Sequence, residues 1–241
     1  MPIYHTSIGD STNHCINAAS GSLDNASTEA VTQSSSSRTD ENKYRYDYKD
    51  LILYNLSLGI STANEANLKF LYENHSDFCV MPSFGVIPAF QILTNFIGQQ
   101  AASNKIPHNI QIDPAKLLHG EHYLEIYKTI KCPSGVFVLK PEIVDVLDKG
   151  SGACLIINVD LIDESTKELM ARNQFVTFLV GSGNFGGKRD SEHLIKLATT
   201  SITKDKKPHA TLEEKTTIDQ AALYRLNGDF NPLHIDPSFS E

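Results

Sequence analysis

"GVFVLKPEIVDVLD" (residues 135–148), "ACLIINVDLID" (153–163) and "ELMARNQFVTFLV" (168–180) follow one another almost without interruption. All three are rich in β-branched and apolar side chains, and only "KGSG" and "ESTK" separate them. Short joints of that kind reverse the chain between neighbours, so the three segments predict strands paired as antiparallel hairpins. Pro141 has no N–H for a ladder, so it is expected at an edge or a bulge. Upstream, "HYLEIYKTI" (122–130) alternates at about period two and reads as a further strand.

Before the strands the period is helical. In "YDYKDLILYNLSLG" (46–59), Tyr48, Leu51, Ile52, Asn55 and Leu58 fall on one face, with Gly59 as a stop. "PSFGVIPAFQILTNFIGQQ" (82–100) predicts a second helix from near Pro88, a residue tolerated in a first turn. A sheet with a packed helix makes an α+β domain.

Composition narrows the function. The chain has 241 residues, 40% of them hydrophobic, and a net charge of -8. It can bury a core, and it lacks the basic balance that nonspecific nucleic-acid binding needs. No apolar run is long enough to cross a bilayer. "MPIYHTSIGD" lacks the regions of a signal peptide. Cys15, Cys79, Cys132 and Cys154 are scattered without a CxxC pair, which reads as reduced thiols in an intracellular protein. Residues 1–41 hold nine serines and five threonines and few large apolar residues, so a disordered linker or tail is expected there. An ordered domain is expected over 42–187, a polar connector over 188–215, and a short helix opening 216–241 with Thr217 or Asp219 as its N-cap.

Four places carry candidate chemistry. Gly181, Gly183 and Gly186 satisfy GxGxxG, but hairpin strands precede them and Gly187-Lys188-Arg189-Asp190 follow where a dinucleotide fold needs a helix. A glycine turn leaving a sheet is the preferred reading. In "LHGEHYLE" (118–125) the zincin spacing is absent, and residues i and i+3 of a strand face opposite ways, so His119 and His122 are not expected to converge on a metal. Gly120 there would let a ligand approach the backbone. Lys149, at a hairpin tip, reads equally as a solvated lysine or a phosphate contact.

The fourth place is "YRLNGDFNPLHIDPSFSE" (224–241). Turn chemistry explains Gly228, Asp236 and Pro237. It does not explain His234, or Asp229 and Asn231 two apart. Pro232 pushes Asn231 into extended backbone. Asp229 and Asn231 then project to one side, where His234 can fold onto them. A carboxylate, an amide and an imidazole could together hold one water. A metal reading of these residues lacks a diagnostic spacing.

"YRLNGDFNPLHID" resembles the hydratase 2 signature of the MaoC-like group, as in the hydratase region of peroxisomal multifunctional enzymes. The likeness continues through "FVTFLVGSGNFGGKR", "DVLDKGSG", "LHGEHYLEIYK" and "LKFLYENHSDF", and covers about residues 42–241. It implies a hot-dog fold, an antiparallel sheet wrapped on a helix, as the first half of a double hot-dog. It implies hydration of trans-2-enoyl-CoA to (3R)-hydroxyacyl-CoA in peroxisomal fatty-acid β-oxidation. Asp229 and His234 match the catalytic pair, with Asn231 orienting them. His119, Gly120 and Lys149 match contacts to the CoA part of the substrate, and Phe230, Pro232 and Leu233 match further substrate contacts. Glu73 matches an acidic position read as structural. No cofactor or metal is implied, since the CoA thioester is the substrate, and a homodimer is expected. Asn227 stands where the group usually has Ser, and His122 where it has Gln. The resemblance also places most of the second hot-dog, with its oxyanion donors, after Glu241, so these 241 residues alone are expected to hydrate little or not at all. The alternatives are a noncatalytic acyl-CoA-binding module and a dimerisation module.

Overall fold

The computed structural model describes residues 39–40, 42–103, 106, 110, 112–113, 116–195, 207, 210–211, 213 and 215–239. Ser37–Glu241 form one compact unit, and the other unit, Met1–Ser36, lies outside the described residues. So does most of the stretch read as disordered. Two of its residues are ordered, however. Thr39–Asp40 form a short strand, β1, antiparallel to β2 (Lys43–Tyr46).

Asp47 then starts α1 (Tyr48–Ser57) with a reciprocal cap. Its carboxylate accepts from the Lys49 N–H at 2.8 Å, and its own N–H donates to Asp50 at 3.0 Å. Gly59, at φ +83°, ends the segment as expected. The buried face differs from the reading. Leu51, Tyr54 and Asn55 are buried, while Tyr48 and Leu58 are exposed. Asn55 can lie inside because its amide is satisfied. It donates to the Phe70 carbonyl at 2.7 Å and accepts from the Met81 N–H at 3.1 Å. A short helix, α2 (Leu68–Leu71), packs beside α1.

The long helix α3 spans Val86–Ala102, after a 3-10 turn over Pro82–Gly85. It begins two residues before Pro88. Pro88 is tolerated because the first four N–H groups of a helix have no partner within it. Ala89, Ile92, Leu93 and Ile97 are buried in the main core with the sheet residues Leu139, Leu155, Ile157, Leu161 and Phe175. Each large aliphatic side chain buried this way contributes about 1.5–3 kcal/mol.

Four long strands follow: β3 (Leu117–Ile126), β4 (Gly135–Asp148), β5 (Gly152–Asp163) and β6 (Leu169–Val180). The sheet order is β1-β2-β4-β5-β6-β3, antiparallel throughout. β4–β5 and β5–β6 are the two hairpins that the short joints require. β3 starts five residues before the alternating stretch and pairs with β6, not with the next strand in sequence. Pro141 sits where β2 no longer pairs with β4, because that ladder stops at Val138, and a bulge follows between Ile143 and Asp145. A long helix on an antiparallel sheet is the hot-dog arrangement.

The run "ACLII" is buried on both sides. Its inner side chains face α3. Cys154 and Ile156 join Leu147 in a second cluster, against which Leu194 packs. Leu194 belongs to a strap, residues 188–195, that returns across the sheet. Gln174, itself buried, donates to the His193 carbonyl at 2.9 Å and accepts from the Ile195 N–H at 2.8 Å. Lys188 Nζ lies 2.6 Å from Asp145. The first part of the expected connector is thus attached to the domain.

Candidate active site

Helix α4 (Gln220–Leu226) delivers the polar motif. Asp219 is its N-cap residue, without a side-chain cap bond. Asn227 closes the helix, and its amide donates back to the Leu223 carbonyl at 3.1 Å. The Gln91 amide of α3 reaches across and donates to the Asn227 carbonyl at 3.1 Å. Gly228 follows at φ +121°. The chain then turns away, and Asp229 is buried at 8% exposure.

Asp229 and His234 meet. His234 Nε2 lies 3.1 Å from Asp229 Oδ2, and the imidazole side chain is 36% exposed. Asp229 Oδ1 accepts from the Asn231 N–H at 3.2 Å. The Tyr224 hydroxyl donates to Asp229 Oδ2. Burial, and then that carboxylate, push the Tyr224 phenol above the ordinary tyrosine range.

Asn231 behaves otherwise than expected. Its side chain does not join the pair. Its Oδ1 accepts from the Leu233 N–H at 3.0 Å and caps the 3-10 turn Pro232–His234. The reason is local: Pro232 sets Asn231 at φ -55° and ψ 122°, an N-cap conformation. The Asn231 carbonyl accepts from the His234 N–H at 3.1 Å. Phe230 and Leu233 stand half exposed beside the pair, with Leu226 and Ile235. Pro232 opens the turn and is exposed as well. A small cleft of about 190 Å³ lies where α4 meets α1 and α3, lined in part by Tyr44, Phe84, Leu226 and Asn227.

The expected divergence of His119 and His122 is overturned. A bulge at Gly120 shifts the β3–β6 register between His119 and Glu121. The extra residue reverses the facing order, so His119 opposes Thr177 and His122 opposes Phe175, two residues apart on one face of β6. The two imidazoles lie 5.4 Å apart, and Phe90 and Phe175 pack against them. Asn173 donates its amide to the Gly85 carbonyl, so its Oδ1 accepts from His122 Nε2 at 2.9 Å. Burial lowers the His122 pKa, the neighbouring His119 lowers it further, and the Asn173 bond opposes both. Among the described residues no group of three or more metal-ligating side chains comes together.

The glycine-rich loop is an anion cradle whose anion is internal. Asp148 accepts from Gly150, Asn184 and Gly186 N–H groups at 2.8–2.9 Å. The Gly150 N–H first, then those of the loop, hold its carboxyl at about 2. Lys149 is engaged too: its Nζ donates to the Arg189 carbonyl and lies 3.8 Å from Asp190. Glu73 accepts from the neighbouring Asn74 amide at 3.0 Å. Tyr224, Gln91 and Asp148 were missed in the sequence. Tyr224 sits five residues before Asp229, a spacing that could have signalled a helix end folding back on its own loop. Gln91 carries no such signal.

Residues 44–181 match the MFE-2 hydratase 2 N-terminal domain family. The chain belongs to that family. It is 42% identical over 200 residues to the peroxisomal multifunctional enzyme type 2 of Drosophila melanogaster, covering 83% of this chain and 32% of that protein. It is 46% identical over 189 residues to the mouse protein of the same name, covering 78% and 24%. A probable enoyl-CoA hydratase 2 of Dictyostelium discoideum is 38% identical over 83% of this chain and 63% of its own length. The solved full-length fly enzyme superposes with a TM-score of 0.64 at 37% identity, over 82% of this chain and 32% of that one. A MaoC-like dehydratase from Phytophthora capsici superposes at 0.62 with 26% identity, over 82% and 64%. The chain thus spans a quarter to two thirds of these relatives. The Asp229–His234 motif lies beyond the matched family segment.

Proposed function

We propose that the chain carries the acyl-thioester-binding half and the water-activating pair of a (3R)-specific 2-enoyl-CoA hydratase acting in peroxisomal fatty-acid β-oxidation. The observation that supports this most is the 3.1 Å approach of His234 Nε2 to a buried Asp229. A carboxylate and an imidazole so placed share a water and divide its protons between them. The water oxygen adds to C3 of the enoyl thioester, which is electron-poor by conjugation, and one proton reaches C2. Run backwards, the same steps dehydrate a 3-hydroxyacyl-CoA. The thioester oxygen gathers negative charge and needs N–H donors, which the resemblance assigns to the second hot-dog. Among the relatives, several are named as peroxisomal enzymes or as enoyl-CoA hydratases, which supports the pathway and the compartment.

CoA phosphates would meet Lys149, after it releases Arg189 and Asp190. Lys149→Ala then raises KM at low salt and leaves kcat near wild type, because a phosphate contact acts equally on ground and transition states. A KM that is the same in both proteins removes Lys149 from substrate binding.

A second reading rests on the half-exposed Leu226, Phe230, Leu233 and Ile235. Apolar side chains grouped on one surface favour an interface. A noncatalytic acyl-CoA-binding or dimerisation module would show that surface as well. Hydration of trans-2-enoyl-CoA, followed by loss of enoyl absorbance beside a CoA-ester titration and a measurement of molecular mass, separates the readings.

A further inference from the structure

We infer that Tyr224 is a positioning residue of the Asp229–His234 pair, an assignment that rests on the hydratase reading. Three contacts carry it. The Tyr224 hydroxyl donates to Asp229 Oδ2, the same oxygen that lies 3.1 Å from His234 Nε2. Its ring stands edge-on to the His234 ring, with centroids 5.3 Å apart and planes at 86°. Its backbone belongs to the last turns of α4, so it holds the pair to a helix and not to a loop.

The lone pairs of Asp229 show what this does. An ionised carboxylate offers about two acceptor positions on each oxygen. On Oδ2 one is taken by the phenol and the other faces the imidazole. On Oδ1 one is taken by the Asn231 N–H, at 3.2 Å. The position left on Oδ1 is the one open to a water. A phenol at neutral pH can only donate here, because its own ionisation is pushed up by burial and by the carboxylate it serves. The hydroxyl therefore prevents the carboxylate from rotating and exchanging its two oxygens. Arg225, one residue on, donates to the Phe230 carbonyl at 3.2 Å and fixes the loop without touching the pair.

The test uses Tyr224→Phe, which keeps the ring edge on His234 and removes only the donor. In the 241-residue chain the His234 ring resonances are followed against pH by NMR, with the other histidines as references. In the variant the imidazolium has Oδ2 to itself, so the pH at which the ring titrates shifts upward. Asp229→Asn shifts it downward. An unchanged His234 titration in Tyr224→Phe, with overlaid backbone amide spectra, overturns the assignment. If that variant does not fold, 3-fluorotyrosine replaces it: the more acidic phenol donates more strongly, and the shift must run downward, or the assignment fails.

In a preparation that hydrates trans-2-enoyl-CoA, Tyr224→Phe lowers kcat by about tenfold or more with KM within about twofold, the pattern of an interaction needed in the transition state. An unchanged kcat overturns the assignment. Absence of hydration by every wild-type preparation defeats the hydratase reading, and the titration then decides the Tyr224 contact by itself.

Discussion

The Gln91 side chain fills the space in which a β-carbon on Gly228 would stand. An ideal β-carbon there would come within 2.0 Å of Gln91 Nε2, and Gly228 also holds φ +121°. The motif glycine is therefore required twice, once by backbone conformation and once by the helix it docks on. Gly228→Ala strains the backbone by about 1–3 kcal/mol and also displaces Gln91. Faster amide exchange through residues 219–235, with the strands unaffected, is the expected outcome. Adding Gln91→Ala relieves the steric part and not the strain, so the double variant should recover only partly. Full recovery would show that the backbone angle contributes nothing.

Asp148 is held at about 2 by N–H groups from the hairpin and the glycine-rich loop. A carboxyl depressed below its ordinary 3.8 stabilises the fold in full above that value and loses the contribution as pH falls through about 2. Amides of Asn184 and Gly186 should thus lose protection between about pH 4 and pH 2 in the wild type. In Asp148→Asn they should exchange faster already at neutral pH, with no further step on acidification. An acid step that persists in the variant would assign it to another group.

His122 gives the opposite case. Its pKa lies below the ordinary 6.5 because burial disfavours the imidazolium. Stability is then complete above about 6.5 and declines as pH falls below it, since the unfolded chain takes up the proton first. His122→Gln keeps a donor for Asn173 and removes the titrating group. The difference in Tm between variant and wild type should grow in favour of the variant from pH 7 to pH 5. Parallel Tm curves would contradict the burial argument.

The sheet was legible because its signals are local. Two four-residue joints between long apolar runs leave few ways to arrange "GVFVLKPEIVDVLD" and its neighbours, and Pro141 named its own place. Asp229 and His234 were legible because Pro232 constrains the backbone between them. What stayed hidden depends on contacts distant in sequence or on one extra residue. The β3–β6 pairing brings together segments about fifty residues apart. The Gly120 bulge reverses the facing of His119; a glycine inside a strand can mark a bulge, but the register it shifts depends on a partner strand distant in sequence. Gln91 meets Asn227 across 136 positions. Asp148 accepts from the N–H groups of a loop that, as sequence, reads only as a glycine turn leaving the sheet.

The measurement that bears most directly on the account compares hydration by the wild type with hydration by Asp229→Asn and His234→Ala. It is made on the 241 residues and on the fly multifunctional enzyme in which these residues replace the matching segment. The account predicts that the exchanged enzyme hydrates trans-2-enoyl-CoA to the (3R) alcohol. Each substitution should lower kcat by about 10²–10⁴-fold, the usual worth of a positioned proton-transfer group. A folded Asp229→Asn variant that hydrates at the wild-type rate would contradict it.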